Sequence, residues 1–458
     1  MDRSIVDDLE AIVGRTNVVT AREQMLDYLQ DESVESVRPK PAEDLILVKP
    51  ATAQQISQIL ELANKHSIPV FPRGGGTGLA GGAVPTTDGL VVSMERMNKI
   101  EIDRENMMVV AEAGVTLETL LNTATQAGLF FPLHPGDESA QLGGLAATNA
   151  GGVRAVKYGV MRNYVRGIEA VLPTGEILSL GGKLHKNNVG YDFMQLLVGS
   201  EGTLAIITKV ILRLLPKSPA TATLILPYNN MHDAIASVSK ILQVDIPLAV
   251  EYVEKDLMER SAEHLGETWP VKSGTCYLIV VVAESSKDHV LETCMKIAEA
   301  CQQNKALEPL FVDEKDKQER ILRVRSNIYS AMKNGIADIL DITVPVSEIT
   351  KVVDQIEEIT KRDKIIIPVF GHAADGNLHV HIMKTEDNVP EYAEKLKDEI
   401  YDIAAKAGGV ITGEHGIGKI RTGKLQPYLA EKEIELMRQI KKILDPKNIL
   451  NPGTKVPM

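Results

Sequence analysis

The 458-residue chain has no apolar run approaching the ~18 residues that a membrane-spanning helix needs. Cysteine is scarce: Cys276, Cys294 and Cys301 have no C-x-x-C spacing, which excludes a disulfide framework and an iron–sulfur cluster ligated by this chain alone. They read as small buried hydrophobes. Aromatic residues make up only 4%, with Trp269 the single tryptophan. Basic blocks are missing too, since 50 Lys and Arg stand against 62 Asp and Glu for a formal charge of -12. A chain of that sign is not expected to take nucleic acid as a partner. The opening MDRSIVDDLEAIVG has neither the basic nor the apolar region of a secretory signal, so a reducing, cytoplasmic location without a direct membrane span is the expectation. What is present, 44% hydrophobic and 24% charged residues, suits two or three globular domains with ample core.

Periodicity organises the chain. The first ~40 residues carry apolar positions at helical spacing, Ile5, Leu9 and Ile12, then Met25, Leu26 and Leu29. From Leu45 the sequence reads strand, helix, strand: LILVKP, TAQQISQILELANKHS and IPVFPR, with Thr52 and Gln55 spaced as a capping box. Strands at GLVVSM and MMVVAEAG and a helix from Leu117 to about Ala127 continue a nucleotide-type α+β domain. From Ala220 the texture changes to strand-like runs, among them TATLILPY, TCYLIVVVAE, DILDITVPV and KIIIPVFGH, separated by long charged helices. That pattern predicts a second, antiparallel-sheet α+β domain. The tail is a helix from Glu431, stopped at Pro446 and followed by an Asn-Pro-Gly turn.

The segment RGGGTGLAGG places six glycines in ten positions. Gly76 to Gly81 formally matches G-x-G-x-x-G, but the dinucleotide motif needs a helix starting inside the loop. Only AVPTTD separates Gly82 from Gly89, so that reading is rejected. A nest of main-chain N–H groups around a diphosphate meets the same glycine demand without a helix. Two more small-residue loops, LGGLAATNAGG and VGSEGTLAIIT, suggest one long ligand threaded through all three.

Four of the ten histidines fall between positions 372 and 415, in GHAADGNLHVHI and GEHGIGK. Asp375-Gly376-Asn377 is a turn between strand arms, with His379 and His381 on one face of the second arm. An isolated histidine is more often a satisfied polar side chain, but His372, His379 and Glu414 together would make a three-ligand metal site with open positions. Imidazole and carboxylate suit zinc, iron and manganese alike.

Taken in order, PRGGGTGLAGG, TNAGG, KYG, VGSEGTL, GHAADGNLHVHI, GEHGIGK and NPG resemble the FAD-linked oxidase family of D-2-hydroxyacid dehydrogenases, over about Pro39 to Thr454. The resemblance implies an α+β fold: a two-lobed PCMH-type FAD-binding domain, an antiparallel-sheet substrate cap domain, and a C-terminal helical return to the flavin. The corresponding boundaries are 1–38 for an N-terminal helical segment, 39–217 for the FAD domain, 218–420 for the cap with its metal site, and 421–458 for the return. It implies FAD against Pro72, Arg73, Gly74, Gly75, Gly76, Thr77 and Gly78, with Gly143, Gly144, Asn149, Gly151, Gly152, Gly202 and Asn451 lining the rest. It implies a divalent metal on His372, His379 and Glu414, a base at His415, and Arg325 binding the substrate carboxylate. Tyr329 and His381 are further pocket candidates.

Two departures from the family pattern matter. Where many relatives carry clustered prolines, this chain reads FPLHPGDESAQLGG, with His134 and an acidic pair. Where relatives acting on dicarboxylates can carry a basic residue, this chain has Ile339, which leaves a second carboxylate without a partner and favours a short acid such as D-lactate or glycolate. The resemblance implies a dehydrogenase that hands electrons to a separate protein in a hetero-oligomer. An electron-transfer flavoprotein in an electron-bifurcating lactate dehydrogenase complex is favoured, and a glycolate oxidase-type subunit with an iron–sulfur partner is the alternative. A non-catalytic FAD scaffold is the reading from another class; it has no use for the histidine cluster.

Overall fold

The computed structural model describes residues 3–216, 220–385 and 390–457. The chain divides into two compact units: Met1–Gly151 with Val160–Lys217 and Glu414–Met458, and Gly152–Gly159 with Ser218–Gly413. The second unit is thus an insertion in the first, and residues 152–159 are exchanged into it.

The first unit holds two larger sheets and a two-stranded one, Leu129–Phe130 with Leu215–Pro216. One orders its strands Val18–Val19, Leu45–Val48, Gly89–Ser93, Val70–Arg73, with the last three parallel and joined through helix Ala53–His66. The runs LILV and GLVVS are buried along their whole length, as a parallel sheet covered on both faces requires. Thr52 caps the helix by accepting from the Gln55 amide at 3.2 Å, and Gln55 Oε1 reaches back to the Ala51 amide at 2.7 Å. Ile5, Leu9 and Val13 of helix Arg3–Val13 pack into the same core.

The helical expectation for the whole first 40 residues fails after Val13. Met25 and Leu29 are buried, but in 3₁₀ turns over Arg22–Gln24 and Leu26–Tyr28, and Leu26 is exposed. The reason is competition for carbonyls: those of Asp27 and Gln30, which a helix would use, accept from the Arg73 guanidinium at 2.6 and 2.7 Å.

The other sheet is antiparallel throughout, in the order Ile100–Asp103, Met108–Glu112, Ile206–Arg213, Val165–Val171, Ile177–Gly181. Helices Leu117–Gln126 and Leu142–Thr148 belong to this lobe. The tail returns to the parallel sheet: the Ile449 carbonyl accepts from the Val70 amide at 2.7 Å, and the Asn451 amide donates to Val70 at 2.8 Å. This pairing covers the edge left open at Val70.

The second unit is built on a seven-stranded antiparallel sheet, including Ala220–Tyr228, Ala249–Glu254, Cys276–Glu284, Ile336–Thr343, Val369–His372 and Asn377–Met383. Helices Lys287–Gln302 and Ile349–Asp363 are the long charged helices read from sequence. Cys276, Cys294 and Cys301 are buried and unbridged, and burial pushes the thiols of Cys276 and Cys294 up to about 11 and about 12. No described helix is long and apolar enough to cross a membrane.

Helix Glu431–Leu444 is pinned by one buried cation. Lys441, 3% exposed, donates to Asp445 at 2.5 Å and to the carbonyls of Thr203 and Leu450 at 2.7 and 2.8 Å. Asp445 also accepts from the amides of Ile449 and Leu450. Lys441→Ala strands that carboxylate in the interior and is expected to cost about 3–5 kcal/mol, read from the urea midpoint.

Candidate functional site

The first unit carries a solvent-connected cavity of about 970 Å³ of empty space, lined by residues 72–78, Gly143, Gly144, Gly202, His415 and Asn451. Among the described residues between Arg73 and Gly89 there is no helix, so the glycine segment is a loop of main-chain groups. Gly76 has φ +74, and a Cβ on it would lie 2.2 Å from Arg73 Nη2. Gly144 differs: a Cβ there meets nothing within 4 Å, so its missing side chain leaves cavity volume free. Gly143 serves packing, since its Cβ would stand 2.6 Å from that of Ala113.

Other cofactor candidates have side chains engaged within the protein itself. The Arg73 side chain faces the N-terminal turns, bound to Asp27 and Gln30. Asn451 lines the cavity, but its amide is engaged: Nδ2 donates to the carbonyls of Gly82 and Glu201, and Oδ1 accepts from Lys419 at 2.7 Å. Asn149, outside the lining, ends helix Leu142–Thr148 at φ 54 and accepts from the Arg162 amide at 3.0 Å. A Cβ on Gly151 would come within 3.2 Å of Glu414 Oε2. Gly152 falls in the second unit.

Sequence reasoning missed Glu201. It is 8% exposed and accepts from the amides of Ile417 and Gly418 at 3.0 and 2.7 Å, with Lys455 at 3.2 Å. This grip fixes the chain two and three residues after His415 against the cavity wall. Next to it, burial pulls the Lys419 ammonium down to about 7 against the opposing charges of Asp31 and Glu201. The signal for Glu201 was the positive φ of a non-glycine in VGSEG, invisible without coordinates.

In the second unit, three buried side chains converge. Glu251 Oε1 lies 2.6 Å from His372 Nδ1, and its Oε2 lies 2.5 Å from Arg325 Nη2. Burial pushes the Glu251 carboxyl up, but His372 and Arg325 outweigh it and hold it below the ordinary range. Arg325 Nε is buried with no acceptor among the described residues, and the guanidinium lies 5.0 Å over the Phe370 ring. His372 and His379 rings stand 5.2 Å apart, and His381 packs edge-on to Phe370 at 4.9 Å and Tyr329 at 6.4 Å.

The sheet sets this geometry: Phe370 pairs with His379, His372 with Asn377 and Ile339 with His381. Asp341, also unforeseen, accepts from Asn377, Thr412 and the Gly413 amide at 2.8, 2.9 and 2.9 Å, and its Oδ1 is 3.7 Å from His379 Nδ1. Glu414 and His415 follow directly in the chain and belong to the first unit.

The donor chemistry fits two kinds of ligand. The glycine cavity, with Gly144 open to it, fits an extended cofactor bearing a diphosphate. The Nδ1 of His372 is held by the Glu251 carboxylate, an arrangement that also occurs behind metal-ligating imidazoles.

Family models for the FAD binding domain and for the C-terminal domain of FAD linked oxidases match residues 45–181 and 217–454. The chain belongs to the FAD-linked oxidase family and is an FAD-linked oxidoreductase. It is 43% identical to a D-lactate dehydrogenase of Archaeoglobus fulgidus over 94% of this chain and 95% of that protein. It is 34% identical to a D-lactate dehydrogenase of Anaerostipes hadrus, over 93% and 92%, and 35% identical to the glycolate oxidase subunit GlcD of Bacillus subtilis, over 89% and 88%. Solved structures of p-cresol methylhydroxylase (TM-score 0.77, 17% identity, 98% of this chain and 96% of that) and alkyldihydroxyacetonephosphate synthase (0.75, 19%, 99% and 86%) share the fold, the PCMH-type FAD-binding α+β architecture.

Removing the shared acceptor tests the second-unit cluster. Glu251→Ala leaves the buried Arg325 guanidinium without its carboxylate and is expected to cost about 3–5 kcal/mol of stability. Because the folded carboxyl sits below its unfolded value, its contribution is present above the ordinary glutamate range and is lost as pH falls through the folded value. Glu251→Gln should therefore flatten that part of the acid-unfolding curve.

Proposed function

We propose that the protein oxidises a short D-2-hydroxy acid, D-lactate, to the 2-oxo acid. The observation that carries this reading is the buried Arg325 Nε, a guanidinium donor without an acceptor among the described residues, on the same Glu251 that holds His372, as expected of a pocket for a small carboxylate. The two D-lactate dehydrogenases at 43% and 34% identity support it. Ile339, 5% exposed opposite His381, offers no charge to a second carboxylate, which supports a monocarboxylate over 2-hydroxyglutarate.

In this mechanism Arg325 binds the substrate carboxylate and His415 takes the proton of the α-hydroxyl. Residues 72–78, Gly144 and Gly202 would hold FAD, which would supply a two-electron acceptor for the hydride that leaves the α-carbon. His372, His379 and Glu414 would hold a divalent metal, which supplies Lewis acidity toward the hydroxyl oxygen. Tyr329 and His381, whose rings stand edge-on to each other, are further pocket candidates. Electrons leave to a separate protein, an electron-transfer flavoprotein in a bifurcating complex in the cytoplasm; an iron–sulfur partner is the second reading, and the likeness to a glycolate oxidase subunit supports a partner protein in either case.

Anaerobic addition of D-lactate, L-lactate, glycolate and D-2-hydroxyglutarate to the purified holoprotein tests the substrate. D-lactate alone should bleach the flavin rapidly, and bleaching by none of the four would sink the reading. His415→Asn should lower kcat about 100-fold with FAD retained. The reduced protein should reoxidise on mixing with an electron-transfer flavoprotein; reoxidation only by an iron–sulfur subunit would favour the second reading.

A further inference from the structure

The five-stranded antiparallel sheet of the first unit carries two arginines that the proposed chemistry does not use. Arg166 lies on strand Val165–Val171 and Arg213 ends strand Ile206–Arg213. Register brings them to the same end of this strand pair. Ile211 pairs with Gly167 and Leu212 with Val165, which leaves Arg166 as the extra residue of a β-bulge, and the Arg213 amide donates to the Tyr164 carbonyl at 2.9 Å. A bulge re-aims the side chain it carries. Elsewhere on the same two strands a cation meets an acid: Lys209 pairs with Glu169 and binds its carboxylate at 3.2 Å.

The arginines have no such partner. Arg166 Nη1 donates to the Val165 carbonyl at 3.0 Å, but the Nε atoms of Arg166 and Arg213 are both buried without an acceptor, and neither guanidinium meets a carboxylate among the described residues. The acids around them are committed elsewhere. Glu169 serves Lys209 and Thr208, and Asp103, one strand beyond the Met108 that pairs with Arg213, serves Lys183 at 2.7 Å and Asn106. Burial draws the Arg166 guanidinium below its ordinary value and the charge of Arg213 adds to that, with Tyr164 opposing both. Two like charges thus act on each other in a half-buried place. Beside Arg166 there is room: the Gly182 amide donates to its carbonyl at 2.9 Å, and a Cβ on Gly182 would meet nothing within 4 Å.

A guanidinium presents its donors in a planar fork that fits an oxyanion bidentately, and a pair of them calls for two negative charges. We propose that Arg166 and Arg213 form a binding site for a phosphate dianion, free or carried by a phosphomonoester. Neither arginine lines the cofactor cavity, and the assignment depends on neither FAD nor the substrate. A monocarboxylate would leave one of the two charges unbalanced, which separates this ligand in kind from a short hydroxy acid.

The test is equilibrium dialysis of the FAD-loaded protein, so that the glycine loop is not free for phosphate, against radiolabelled inorganic phosphate at roughly pH 8 and constant ionic strength, where phosphate is a dianion. Wild type should bind the label, and Arg166→Gln and Arg213→Gln should each weaken that binding about tenfold or more, the size of a hydrogen bond to a charged group. Arg213→Lys keeps the charge and loses the fork, so it should fold like wild type and still bind more weakly. In urea without phosphate, Arg213→Gln should unfold at a higher midpoint than wild type because the repulsion is gone; with saturating phosphate the order should reverse. Unlabelled glycerol 3-phosphate decides the source: displacement of the label supports a phosphomonoester, and failure to displace it supports the free ion. No binding by wild type, binding unchanged in both glutamine variants, or an Arg213→Gln protein less stable than wild type in both buffers overturns the proposal.

Discussion

The cofactor cavity depends on one buried carboxylate. Glu201 sits in a left-handed conformation against the last turn of helix Leu142–Thr148, its amide bound to the Ala147 carbonyl at 2.7 Å and its carbonyl receiving Asn451 at 2.9 Å. Its two side-chain oxygens hold the amides of Ile417 and Gly418. Burying a carboxylate is unfavourable unless charge-assisted hydrogen bonds satisfy it, and two main-chain donors plus Lys455 do so here. Through this residue three sequence-distant segments, around 147, 417 and 451, become one wall. His415 lies in that wall because the residues just after it are held, not because its own neighbourhood is regular structure.

The same economy recurs in the second unit. Glu251 serves a histidine and an arginine at once, so the orientation of the imidazole and the position of the guanidinium are coupled through one side chain. Asp341 plays the matching part on the neighbouring strands, gathering Asn377, Thr412 and the Gly413 amide. In both units the groups proposed for chemistry are positioned by acids that take no direct part in it, which is the relation expected of supports around a preorganised site.

The glycine loop illustrates how much a motif leaves open. Its glycine density correctly called for close main-chain approach, and the shortness of AVPTTD correctly excluded a helix. Yet the charged residue at its head, Arg73, is spent on the protein's own N-terminal turns, and the acid that reaches the cavity, Asp31, comes from a stretch whose periodicity suggested only more helix. Periodicity reports which residues are buried; Met25 and Leu29 are. It does not report which carbonyls a distant arginine will claim.

The sequence by itself determined the α+β elements, because their apolar periods are local: the parallel strands, the capped helix Ala53–His66, and the alternating strand that carries His379 and His381 on one face. Its ordered motifs also determined the family. Tertiary structure alone decided the partners of the chemistry-bearing groups: Glu251 beneath Arg325 and His372, Asp341 beside His379, Glu201 behind His415, and Asp31 under the glycine loop. The bonds from Asn377 to Asp341 and from the Gly418 amide to Glu201 span 36 and 217 positions, and hydrogen bonds between groups so far apart leave no period in the sequence. Burial gives such pairs their strength, and burial is a property of the folded chain.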